Sequence, residues 1–138
     1  MKIYIAGASA EIDVIEKFMG RLRAVGHEIT HDWTKDVRAA GSASPNDSFI
    51  RLSAAEKDRH GVIVSQVTWI VQPSDASSST GAWVELGIAL GLQKVREAAP
   101  MIVVSGSSQK CIFSDLADSR FDSHEDALAF IEKLPKGI

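Results

Sequence analysis

A single cysteine, Cys111, stands in a chain of 138 residues, so no disulfide can form within it. That usage fits a reducing cytosol. Positive charge is not in excess either: 15 Lys and Arg against 18 Asp and Glu leave a formal net charge of −3. This excludes the broad basic footprint of a nucleic-acid binder, although a small anionic ligand would need only a local site. The opening stretch, MKIYIAGASAEID, is apolar only briefly and turns acidic by Glu11. It reads as neither a signal peptide nor a membrane span, and the expectation is a cytoplasmic protein with no membrane partner. There is no internal repeat, no Gly-x-Gly-x-x-Gly, no Walker loop and no nucleophile elbow. His27 and His31 are four residues apart but fall on a predicted strand, and no Cys/His cluster accompanies them. No metal and no other cofactor is therefore expected.

What is present is an ordinary globular composition, 45% apolar and 24% charged, long enough for one domain spanning residues 1–138. Lys2–Ala6 is short, β-branched and aromatic, a buried strand. Gly7, Ala8 and Ser9 form the turn after it, and Ser9 is placed to cap a helix running to about Val25. On that helix Ile15, Phe18, Met19 and Leu22 make one apolar stripe, and Gly26 stops it. His27–Asp32 reads as a second strand and Thr34–Asn46 as a long polar loop. Asp47 or Ser48 starts the next helix, which runs through Asp58. Val67–Val71 is a wholly apolar third strand. A helix from about Gly81 to Glu97 precedes a fourth strand at Pro100–Val104. Cys111–Phe113 reads as a short fifth strand. Ser123-His124-Glu125-Asp126 is a capping box before a last helix. Apolar strands alternating with helices predict an α/β fold: a parallel, flavodoxin- or Rossmann-like sheet of four to five strands with helices on both faces. Ligands of such sheets sit outside the carboxyl ends of the strands.

The stretch Ser74–Leu92, SDASSSTGAWVELGIALGL, stands apart. Hydroxyls crowd its first half. An almost wholly apolar helix follows, with one carboxylate in it, Glu85. Its helical neighbours are Gly81 and Ala82 on one side, Ile88 and Ala89 on the other. No polar stripe accompanies it, and a carboxylate is costly to bury alone. Glu85 is thus a candidate for a shielded group facing a pocket rather than an ordinary surface acid. The free N–H groups at Ser79-Thr80-Gly81 favour an anion or a sugar oxygen, and Gly81 would let a ligand approach the backbone. Asp58 lies on the preceding helix among Glu56, Lys57 and Arg59, which by themselves read as a solvated face. Tyr4 sits in the first strand, where a buried hydroxyl seeks a partner. Trp33 could stack on a base or wall the core.

Taken together, IYIAG at Ile3–Gly7, GHEITHDW at Gly26–Trp33, AAEKD at Ala54–Asp58 and STGAWVELGIAL at Ser79–Leu90 resemble the nucleoside 2-deoxyribosyltransferases and their relatives, the 2′-deoxynucleoside 5′-phosphate N-hydrolases. The resemblance covers most of the chain. It implies that Glu85 is the nucleophile, Asp58 its supporting acid and Tyr4 the tyrosine beside it. It makes Gly7, Ser9, Asp32, Trp33, Ser79 and Gly81 the candidate substrate contacts. Transferases of this kind carry Asp at the position of Ser79, where the phosphate-cleaving hydrolases carry Ser, which tilts the expectation toward a 5′-monophosphate. The chain departs from the hydrolases at Ala8–Glu11, where they have Arg, and at Asp32, where they have His. The implied chemistry is cleavage or transfer of the N-glycosidic bond of a nucleotide or nucleoside through a covalent glycosyl-Glu intermediate. The resemblance also implies a homodimer or larger assembly in which Ser108 and Gln109 complete a neighbour's site. Two other readings of the same fold are a non-catalytic nucleotide-binding module and an NAD-type glycohydrolase.

Overall fold

The computed structural model describes residues 1–40, 48–74, 80–107 and 111–136. Among these residues five strands form one parallel sheet: β1 (Lys2–Ala6), β2 (Glu28–Ile29), β3 (Val67–Val71), β4 (Met101–Ser105) and β5 (Ser119–Phe121). Their order is β2-β1-β3-β4-β5, every neighbouring pair parallel. This is the doubly wound order whose switch point lies between β1 and β3. The predicted Rossmann-like architecture is therefore the observed one. Among the described residues five helices connect and cover the strands: α1 (Ile12–Ala24), α2 (Trp33–Ala40), α3 (Ser48–Ile63), α4 (Thr80–Val95) and α5 (His124–Glu132).

The central strands are buried along nearly their whole length, as their continuous apolar sequences require. Side chains alternate between the two faces. Trp69 points to the α1 side, its ring 5.0 Å from that of Phe18. Its indole N–H donates to Ser105 Oγ at 2.8 Å, and that hydroxyl lies 2.7 Å from His124 Nδ1. The predicted stripe of Ile15, Phe18, Met19 and Leu22 is the buried face of α1. Gly26, at φ 97°, ends the helix in the left-handed conformation glycine favours. Tyr4 points to the opposite side, where α3 and α4 pack against one another.

Four local expectations are corrected. β2 is two residues long, not the whole of His27–Asp32, because Asp32 turns the chain into a helix. Its carboxylate accepts from the Thr34 N–H at 3.2 Å and from the Thr34 hydroxyl, satisfying the free end of α2. Residues 33–40 are consequently helical rather than a polar loop. Ser9 makes no capping hydrogen bond; Ser9–Glu11 is a 3-10 turn leading into α1. Cys111–Phe113 is not a strand. Ile112–Leu116 forms a 3-10 turn, and the fifth strand lies at Ser119–Phe121. The capping hydroxyl of Ser123 is as expected, accepting from the Asp126 N–H at 3.0 Å.

Candidate active site

Glu85 lies in the first half of α4, directly beyond the carboxyl end of β3. Asp58 comes from the second half of α3. Both line one cavity of about 410 Å³, whose walls include Leu52, Val84 and Ile88. Gly81 opens the mouth of that cavity: a Cβ placed there would meet nothing within 4 Å. Glu56 and Arg59 stand at its edge, paired with each other at 2.6 Å.

Tyr4 stands behind the two carboxyls, within reach of both. It is wholly buried, and its hydroxyl lies beside both carboxyls without completing a well-aligned hydrogen bond among the described residues. Three ionisable groups from β1, α3 and α4 thus share one poorly solvated space, and each perturbs the others. Burial, then the charge of Asp58, pushes the Glu85 carboxyl up to about 8, while the Tyr4 hydroxyl works in the opposite direction. Burial also raises Asp58, against the lowering influence of His31. Tyr4 is held far above the usual range for a phenol by burial and by the two carboxyls. Neighbouring carboxyls whose environments push their protonation out of step are the raw material of acid and nucleophile pairs.

The other candidates are distributed differently. Gly7 sits where α1 crosses close to the sheet: an added Cβ would lie 2.7 Å from Ile15 Cδ1 and 3.7 Å from the Val71 carbonyl. Ser9 is exposed on its 3-10 turn. Asp32 is engaged by Thr34 and by Arg23 at 2.9 Å. Trp33 is buried, its indole N–H donating to the Ile5 carbonyl at 2.8 Å. None of these four lines the cavity at Glu85. Ser79, Ser108 and Gln109 lie outside the described residues.

Two groups that sequence spacing could not place join the constellation. His31, in the turn before α2, brings Nε2 to 3.4 Å from Asp58 Oδ1 and 3.3 Å from Asp36 Oδ2. The pairing spans 27 residues and two elements, and no local pattern signals it. Among the described residues no group of three or more His, Cys, Asp or Glu is arranged to hold a metal ion. Among the described residues no helix is long and apolar enough to cross a membrane. A separate cavity of about 440 Å³ lies at the carboxyl ends of β3, β4 and β5, where Gln72, Gly106 and His124 line it. It contains none of Tyr4, Asp58 and Glu85.

No family model matches the chain, and no curated protein matches it. Among solved structures it is similar to the 2-deoxyribosyltransferase of the psychrotolerant bacterium Bacillus psychrosaccharolyticus. Identity is 18%, the TM-score is 0.70, and the superposition covers 98% of this chain and 93% of that one. The chain therefore has the fold of that deoxyribosyltransferase over almost its whole length.

Proposed function

We propose that this protein cleaves or transfers the N-glycosidic bond of a deoxynucleoside or its 5′-monophosphate, with Glu85 as the nucleophile. The observation that carries the reading is the meeting of Glu85 and Asp58, from two separate helices, on one cavity, with the buried Tyr4 hydroxyl of β1 beside both carboxyls. The fold shared with a deoxyribosyltransferase supports it.

In the first step a Glu85 oxygen bonds to the anomeric carbon as the carbon–nitrogen bond breaks. The bonding pair leaves with the base, and the sugar passes through an oxocarbenium-like state. Asp58, whose carboxyl burial holds toward the protonated form, supplies the proton the departing base requires. A protonated Asp58 no longer raises Glu85, so the arrangement favours one acid and one carboxylate at a time. The Tyr4 hydroxyl favours the ionised form of Glu85. In the second step water or a second base attacks the glycosyl-Glu85 ester, the carbon–oxygen bond to Glu85 breaks to return the carboxylate, and the attacking group releases its proton.

The exposed start of α4 beside Gly81 suits the sugar's 5′ end. Ser79 immediately before it would accommodate a phosphate where a carboxylate would repel one. A homodimer belongs to the same reading. Val84 and Val95 are exposed on α4, as are Ile112, Phe113 and Leu116 beyond β4, an apolar surface suited to a second copy.

The test is incubation with a panel of nucleosides and 5′-monophosphates, with and without an acceptor base, followed by chromatography of the bases. Exchange without hydrolysis identifies a transferase. Release from phosphates alone identifies a nucleotide hydrolase. Release that survives Glu85→Gln, or no release from any substrate, overturns the proposal.

A further inference from the structure

We propose that His31 is a positioning residue for this site: it holds one proton between Asp36 and Asp58 and returns Asp58 to its acid form after each departing base. The inference rests on the reading of Glu85 as nucleophile and Asp58 as acid, and it adds the source of the proton.

Three observations lead to it. First, one imidazole nitrogen faces two carboxylate oxygens at nearly equal distances, 3.3 Å to Asp36 Oδ2 and 3.4 Å to Asp58 Oδ1. All three atoms are shielded from solvent, and none completes a well-aligned hydrogen bond among the described residues. Once Asp58 has given up its proton, a nitrogen between it and Asp36 must carry one, since a bare lone pair there would face only acceptors. One N–H cannot donate fully to both, so the proton is shared.

Second, the ring cannot withdraw toward α3. A Cβ at Gly61 would lie 2.9 Å from His31 Cβ, so the helix backbone is already in close contact with the base of the side chain. Third, the cluster has an inner and an outer end. Asp58 faces Tyr4 and Glu85. Asp36 is the more exposed carboxylate, 41% against 30% for Asp58, and Lys57 Nζ approaches it at 4.0 Å. The groups facing His31 are therefore Asp36 from α2, Asp58 and Lys57 from α3, and, through Asp58, Tyr4 from β1 and Glu85 from α4. Asp32, next in the chain, is engaged by Arg23 and Thr34 and does not compete.

The proton balance is simple. Asp58 gives its proton to the leaving nitrogen and becomes a carboxylate. His31 passes its Nε2 proton to Asp58 Oδ1 as its ring takes one up from solvent, and the attacking group releases one proton in the second step, so the turnover is balanced. No oxidant, metal or co-reactant enters.

The experiment compares deoxyguanosine with N7-methyldeoxyguanosine, and the 5′-monophosphates of both. The methylated base is already cationic and leaves without a proton. For His31→Gln, kcat/KM on the unmethylated substrates should fall about 10- to 100-fold, less than the roughly 10²- to 10⁴-fold worth of a direct proton donor because Asp58 remains, and on the methylated ones less than about two-fold. Equal losses on both mean that His31 only supports the fold, and no loss on either means that it does nothing; both overturn the proposal. Glu85→Gln separates the two readings, since it should abolish release from both substrate types. If it does not, the nucleophile assignment fails irrespective of His31. Should the wild type act on none of these substrates, imidazole NMR still decides. The Nε2-bound proton of His31 should be visible above neutral pH and be lost to exchange with water in Asp58→Asn. Its absence from the wild type overturns the proposal.

Discussion

Gly61 and Tyr4 are in direct apposition: a Cβ on the glycine would lie 2.8 Å from Cδ2 of the tyrosine ring. The same atom would crowd His31 Cβ at 2.9 Å. Neither neighbour is the loose end of a flexible chain. Alanine at this helical position would gain about 1 kcal/mol in intrinsic propensity, but overpacking a buried contact costs about 1–3 kcal/mol. Gly61→Ala should therefore lower the melting temperature. By forcing α3 outward it should also lower kcat more than an equally destabilising change on α1 does. Thermal unfolding paired with steady-state kinetics checks both; an unchanged Tm would mean that the helix adjusts freely.

The pH profile should carry the signature of Glu85. On a substrate whose base needs no proton, kcat/KM should rise with pH as this carboxyl ionises near its value of about 8. Tyr4→Phe removes the hydroxyl that lowers Glu85, so the rising limb should move to higher pH. Asp58→Asn removes the charge that raises it, so the limb should move lower. Opposite shifts in two variants are hard to imitate by general damage, and identical profiles would refute the coupling.

The same group should cost stability. Unfolded, Glu85 loses its proton near 4.5; folded, it keeps it to about 8. Between those values the folded state binds more protons, so stability falls as pH rises across that window and levels off above it. Glu85→Gln lacks this loss. Wild type and variant should unfold alike below 4.5, with the variant ahead by about 1–3 kcal/mol at mildly alkaline pH. Urea titrations at acidic, neutral and alkaline pH would show the gap opening or staying shut.

Asp32 should behave in the opposite sense. Burial works to raise its carboxyl, but hydrogen bonds from Thr34 and Arg23 outweigh it and hold the group below the usual range. Its contribution is present above the ordinary aspartate value and is lost as pH falls through the depressed one. Asp32→Ala should cost about 1–2 kcal/mol at neutral pH, with the difference shrinking in strong acid. A constant difference at every pH would assign the loss to packing instead.

Much of this architecture was legible in sequence because its central strands are buried on both faces and read as unbroken apolar runs. Glu85 was legible for the complementary reason, as one carboxylate in a helix with no polar stripe. What escaped depends on contacts between distant residues. Helix α2 is polar in sequence and stands on the Asp32 cap and on Arg38, which donates at 2.6 Å both to Glu16 and to Asp13 of α1. β5 is three residues long, too short for periodicity to mark. Asp58 looked like one member of a charged surface, and only the packing of α3 on α4 turns it inward. His31 was visible as a residue but not as a neighbour of Asp58.

β1 lies between β2 and β3, hydrogen-bonded on both sides, whereas Glu85 rides on the first turns of a helix whose start is exposed. The two halves of the site therefore keep different clocks. Amide protons around Tyr4 should exchange with solvent only when the whole molecule opens, and those from Gly81 to Glu85 by local fraying. Local fraying would let the Glu85 carboxyl move against a hydroxyl that stays in place.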